Sequence, residues 1–191
     1  MSATSAPFGL RPAYHPTGLD RAVALANGIT SGYAYNLLKG QPVELSGGVI
    51  VRSDGTDSIQ GAFDGVEWTD TTGRRRVSNY WPASTAYQTG SCIAYYYEDA
   101  NIVYEIQGAG SFAQSSIGDE YDLTNTTAGS TTTGLSQCTL NASSAVGNAG
   151  QGQMRVVDLG QGVDNAWGDA YTVVRVVNSQ SQFFGSVTAI A

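Results

Sequence analysis

Apolar and polar positions alternate with a period of two along much of this 191-residue chain. That spacing puts successive side chains on opposite faces of a β-strand. Tyr33 to Lys39 reads as a strand, and Gln41-Pro42-Val43-Glu44-Leu45 as the start of the next. Ser46-Gly47-Gly48 then supplies turn chemistry before Val49-Ile50-Val51-Arg52, which predicts a hairpin-type connection. From Ile59 to Trp68 the alternation slips in phase near Gly65, the mark of a bulge or sharp bend.

The strongest strand signals are Cys92 to Tyr97 and Ile102 to Gln107, separated by the acidic turn Glu98-Asp99-Ala100-Asn101. They are expected to form the centre of the sheet. Ser111 to Gly118 is the best match to a short helix, with a further strand at Glu120 to Leu123. Met154 to Leu159 and Tyr171 to Asn178 follow as strands, the last apolar on both faces and so predicted to be buried on two sides. Residues 125–134 and 142–152 are polar, low-complexity loops, and 69–89 reads as a long hairpin or loop holding Arg74, Arg75, Arg76, Tyr80, Trp81 and Tyr87. Residues 1–32 carry Pro7, Pro12 and Pro16 without a sustained period. The division predicted is an extended N-terminal arm, 1–32, and one β-rich domain, 33–191. The fold class is mainly β, a single β-barrel or β-sandwich with long polar loops.

Composition sharpens this picture. The charged fraction is 13% against roughly 25% in ordinary soluble domains, so the surface rests largely on Ser, Thr, Asn, Gln and Gly. Neutral polar groups are buried at an interface with less desolvation cost than Lys or Glu, which suits a protein lying against neighbours. The net charge of −7 disfavours direct contact with nucleic acid. No apolar run is long enough for a membrane span, and the first ten residues lack the basic and apolar regions of a secretory signal. Cys92 and Cys138 are expected as two buried thiols rather than a disulfide.

Candidate chemistry is sparse. His15 is the only histidine and sits in the proline-rich arm, a poor setting for rigid catalytic geometry. Glu98-Asp99 and Asp119-Glu120-Asp122 each lie in one short turn, and are read as turn acids rather than a glycosidase dyad or calcium site. The glycine-rich 147–153 precedes a strand and lacks the lysine of a phosphate loop. Trp68, Trp81 and Trp167 are read as core or interface anchors before a sugar platform. No enzymatic activity, metal or cofactor is expected.

Several stretches, in order, resemble the capsid cement or decoration proteins of tailed bacteriophages. They are Pro7-Phe8-Gly9-Leu10-Arg11-Pro12, Gly61-Ala62-Phe63-Asp64-Gly65-Val66-Glu67, Ala94-Tyr95-Tyr96-Tyr97-Glu98-Asp99 and Val103-Tyr104-Glu105-Ile106-Gln107. Ser116-Ile117-Gly118, Thr132-Thr133-Gly134-Leu135-Ser136 and Val173-Val174-Arg175-Val176-Val177-Asn178 complete the series. The resemblance implies a β-barrel or β-sandwich on the outer face of the phage head, made in the host bacterial cytoplasm. It also implies self-association as homotrimers and binding to the major capsid protein, with no membrane partner. Expected contact residues are Pro7, Phe8, Leu10 and Arg11 in the arm, Arg74, Arg75, Arg76, Tyr80 and Trp81 in the central loop, and Phe183 and Phe184 near the end. Deleting residues 2–16 is expected to weaken shell binding while leaving the domain folded. The alternative is a tail-fibre or carbohydrate-binding β module using Tyr80, Trp81 and Tyr87 as a platform.

Overall fold

Two consecutive glycines decide the first hairpin. Gly47 (φ 59°) and Gly48 (φ 82°) both take left-handed backbone, the combination a two-residue turn needs to match the twist of its strands. The computed structural model describes residues 2–18, 21–55, 57–146 and 151–184; the glycine-rich 147–150 and the tail after Phe184 lie outside them. Within those bounds the strands are β1 (Arg11–Tyr14), β2 (Val23–Ala26), β3 (Pro42–Ser46), β4 (Val49–Arg52), β5 (Gly61–Thr69), β6 (Arg75–Ser78), β7 (Ile93–Tyr97) and β8 (Val103–Gln107). Next come the short β9 (Glu120–Tyr121), β10 (Leu123–Thr124), β11 (Gly129–Ser130), β12 (Leu135–Ser136) and β13 (Thr139–Leu140), then the longer β14 (Met154–Leu159) and β15 (Val173–Asn178).

The fold is mainly β. One sheet runs β1-β8-β15-β14-β9; the other runs β2-β7-β5-β3-β4, with β6 paired to the C-terminal half of β5. Every strand pairing is antiparallel, and two small ladders, β10·β13 and β11·β12, stand beside the sheets. Both sheets keep two distinct edges, so of the two predicted architectures no barrel closes and the arrangement is sandwich-like. The phase slip near Gly65 is a register shift between Phe63 and Gly65 where β5 pairs with β7.

Each sheet has its own core. Leu10, Tyr104, Ile106, Phe112, Met154 and Val174 pack under the first, joined by Ile59 and by Ala62 of β5. Phe63, Val66, Trp68, Ile50, Tyr96 and Trp81 pack under the second. Cys92 and Cys138 are buried, free thiols, as expected, and burial pushes both thiols up from their ordinary range.

The structure corrects four readings. Residues 1–32 are no detached arm: β1 forms the edge of the first sheet on β8, and β2 the edge of the second on β7. Gly9 (φ 74°) allows this docking, since a Cβ there would sit 2.5 Å from the Gly40 carbonyl oxygen, and the Leu10 N–H donates to that oxygen at 2.8 Å. Second, β7 and β8 do not pair with each other but lie in different sheets. The Asp99 carboxylate accepts the Asn101 N–H at 2.9 Å and its backbone oxygen accepts the Ile102 N–H, so the connection turns on itself and crosses between sheets.

Third, Tyr33 to Lys39 makes only isolated bridges, Leu37 to Trp81 and Lys39 to Leu135, and the predicted helix shrinks to one 3-10 turn at Gln114–Ser116. Fourth, β15 is fully buried on one face only: Val174 and Val176 are inaccessible, while Val173, Arg175 and Val177 are half-buried. Arg175 is the reason. Its guanidinium lies 3.5 Å from Glu105 and 3.9 Å from Asp158, a polar layer over that face. No helix among the described residues is long and apolar enough to cross a membrane.

Candidate functional site

The β5–β6 hairpin is an exposed feature of the second sheet held by a dense set of side-chain hydrogen bonds. Its turn is built on Asp70, whose Oδ1 accepts the Thr72 hydroxyl (2.6 Å), the Thr72 N–H (2.9 Å) and the Arg74 N–H (3.0 Å). Its Oδ2 accepts from Arg76 Nε at 2.9 Å. These donors, the Thr72 hydroxyl foremost, hold the Asp70 carboxyl well below its ordinary range. On the other face Arg75 pairs with Glu67, and the Tyr95 hydroxyl donates to Glu67 at 3.3 Å. The hydrogen bond from Arg75 is the largest cause of the lowered Glu67 carboxyl. Two of the three arginines expected at a contact are thus tied back to β5 and its turn. Arg74 is exposed and makes no ion pair among the described residues, and Val77 is 73% exposed.

Acid should loosen this hairpin. Asp70 and Glu67 have folded pKa values below the unfolded ones, so their contribution is complete above the ordinary carboxylate range near ~4 and is lost as pH falls through the folded values. Desolvation raises Glu44 and Asp122, and these act in the opposite sense. Urea denaturation at pH 7 and pH 3 is expected to show lower stability in acid, with a shallower loss for Asp70→Asn; an unchanged slope would remove Asp70 from the account.

A second feature is a cleft of about 210 Å³ where β1 meets the second sheet. Phe8, Leu10, Phe63 and Leu135 line it, with the Lys39–Asp64 pair (2.7 Å) at its rim. Arg11 lies 4.5 Å from the Phe8 ring centroid and pairs with Glu105 at 2.6 Å. Phe8 and Pro7 are half-buried and Arg11 exposed, so these three expected contact residues stay at the surface. Leu10 does not; it is 1% exposed and belongs to the first core.

Trp81 is also removed from the surface. It is fully buried, edge-on to Trp68 (5.3 Å) and Tyr87 (5.9 Å), and the Tyr87 hydroxyl donates to the Ile29 carbonyl at 2.7 Å. With Trp81 buried, a sugar-stacking platform of Tyr80, Trp81 and Tyr87 does not form, although Tyr80 and Tyr87 are each only half-buried. Pairing with Leu37 explains the burial: each residue's N–H donates to the other's carbonyl, drawing the loop over the second core.

Phe183 and Phe184, by contrast, are 59% and 55% exposed beside Glu98 and Asp99. The chain reaches this position through Gln182, whose side chain accepts from the Leu45 N–H and donates to the Leu45 carbonyl, capping the edge of β3.

His15 is buried. Its Nδ1 accepts the Thr17 N–H at 3.1 Å, and its Nε2 lies 3.1 Å from Asp99 Oδ2. Sequence reading placed this residue in a loose arm; instead it fastens the β1–β2 connection to the β7–β8 crossing. Among the described residues no group of three or more His, Cys, Asp or Glu side chains is placed to hold a metal ion. In comparisons with known proteins, the chain matches no family model, no curated protein and no solved structure.

Proposed function

We propose that this chain is a structural protein of a tailed-bacteriophage head, one that binds the outer surface of the assembled shell and ties major capsid subunits together. The observation that carries the reading is the adjacent pair Phe183 and Phe184, held more than half exposed on a surface otherwise poor in charge. Exposed rings of this kind are anchors that a partner's pocket desolvates.

The charge arrangement supports it. Six of the nine Lys and Arg residues, namely Arg11, Lys39, Arg75, Arg76, Arg155 and Arg175, are paired with carboxylates of the same chain. Charges neutralised in place can approach a partner with fewer unpaired ions to desolvate. The net charge of −7 keeps the face away from nucleic acid. A protein that binds only the assembled lattice stabilises it by mass action, and many copies act together. Self-association as a homotrimer belongs to the same reading.

The test is cryo-electron microscopy and co-sedimentation with purified phage heads that lack the chain. Ordered copies bridging shell subunits are expected. The double variant Phe183→Ala, Phe184→Ala should bind at least about tenfold more weakly, equivalent to roughly 1.4 kcal/mol, with an unchanged melting temperature. Absence from the head, or density only at the tail, would overturn the reading.

A further inference from the structure

The backbone of β6 carries a second kind of contact. In its ladder with β5, Trp68 stands opposite Arg76, and Thr69 opposite Arg75. The Thr69 N–H donates to the Ser91 hydroxyl at 3.1 Å, and its carbonyl accepts the Gln88 N–H at 2.9 Å, both on the side away from β6. Asp70 and Arg74, by contrast, face each other, with the Asp70 N–H donating to the Arg74 carbonyl at 2.9 Å. Antiparallel pairs alternate between bonded and non-bonded, so Arg76 and Ser78 turn their backbone groups to β5, while Arg75 and Val77 turn theirs outward. Among the described residues nothing bonds to the outward N–H or C=O of Arg75 or Val77.

Edge strands are commonly guarded by long charged side chains standing over the free edge. Here the two arginines on the strand are drawn back, Arg75 to Glu67 and Arg76 to Asp70. The edge is left with two open donors and two open acceptors, beside an exposed β-branched Val77 and the unpaired cation of Arg74.

We propose that β6 is a strand-addition site that takes an extended, acidic segment of a partner protein. The partner strand continues the second sheet beyond β6, bonds to the backbone of Arg75 and Val77, packs an apolar side chain on Val77, and presents a carboxylate to Arg74. Charge selects this occupant. A second copy of β6 would bring another Arg74 cation to the edge and no free carboxylate to meet it, since its Glu67 and Asp70 are already paired with Arg75 and Arg76. On the capsid-binding reading, on which this choice of partner rests, the occupant is a segment of the major capsid protein.

The probe is a capped six-residue peptide of alternating valine and glutamate, added at millimolar concentration while amide hydrogen exchange is followed residue by residue. The Arg75 and Val77 amides are expected to slow by roughly fivefold or more. A lysine-for-glutamate peptide should leave them unchanged. Val77→Pro removes one outward donor without touching the β5 ladder, and should abolish the protection; Val77→Thr keeps the amide and should retain it. Unprotected amides with the acidic peptide, equal protection by the basic one, or concentration-dependent dimers formed through β6 would each overturn the proposal. The same variants on phage heads separate the two readings. Wild-type protein that takes the peptide but ignores heads refutes only the capsid reading, whereas Val77→Pro binding heads like wild type refutes strand addition there.

Discussion

Deletion of residues 2–16 is expected to destroy the native fold rather than to release a binding arm. The segment supplies β1, and with it the outer neighbour of β8, a strand whose five residues are all buried. Leu10 loses a fully buried position, about 1.5–3 kcal/mol. The backbone bonds between β1 and β8 add roughly 1 kcal/mol each. The Arg11–Glu105 pair and the His15–Asp99 contact go as well. The sum is on the order of 5 kcal/mol, comparable with the whole stability of many domains. Far-ultraviolet circular dichroism and urea denaturation check it. The expected result is a missing or strongly shifted transition, and aggregation through the bared edge of β8. A truncated chain unfolding cooperatively within about 0.3 M urea of full length would mean that β1 merely decorates the sheet.

Three prolines within sixteen residues break any period, yet an edge strand needs only one bonded side and tolerates Pro12 in its middle. Gly9 and Leu10 carried the real signal, a glycine that permits close approach beside a leucine that fills the core, but only the position of Gly40 gives those residues their meaning. Local patterns were legible where the partner is near in the chain: the β3–β4 hairpin, the bulge beside Gly65 and the β14 and β15 strands were all read from residues alone. Pairing between distant segments was not, because alternation fixes a strand and its faces but leaves its neighbour open. The pair β7 and β8 shows this. The two strands flanking the acidic turn were expected together at the centre of one sheet, and at Asp99 the chain instead crosses into the other sheet.

The surface residues divide the same way. Phe183 and Phe184, expected as contact residues, are exposed because nothing in the described chain covers them. Of the arginine cluster, sequence alone gave the three charges but not that Glu67 and Asp70 would claim two of them, which needs the register of β5 against β6. The outward amides of Arg75 and Val77 had no sequence signal at all, since which backbone groups face away depends on the phase of the ladder.

Trp81→Ala is expected to cost about 3–5 kcal/mol, the range for removing a large buried aromatic side chain. For a domain of this size that lowers the melting temperature by roughly 6–20 °C. The ring closes the second core between Trp68 and Tyr87, so its loss leaves a cavity whose walls are held by the Leu37 bridge and by the hydrogen bond from Tyr87 to Ile29. Collapse into that space would have to break one of these. Trp81→Phe should lose much less than the difference in size suggests. The indole N–H is buried without a partner among the described residues, and removing it relieves a desolvation cost of about 1–3 kcal/mol. Differential scanning calorimetry of the two variants separates a core anchor from a contact residue. A Trp81→Ala protein that melts like wild type but no longer binds its partner would return Trp81 to the surface, against the packing described above.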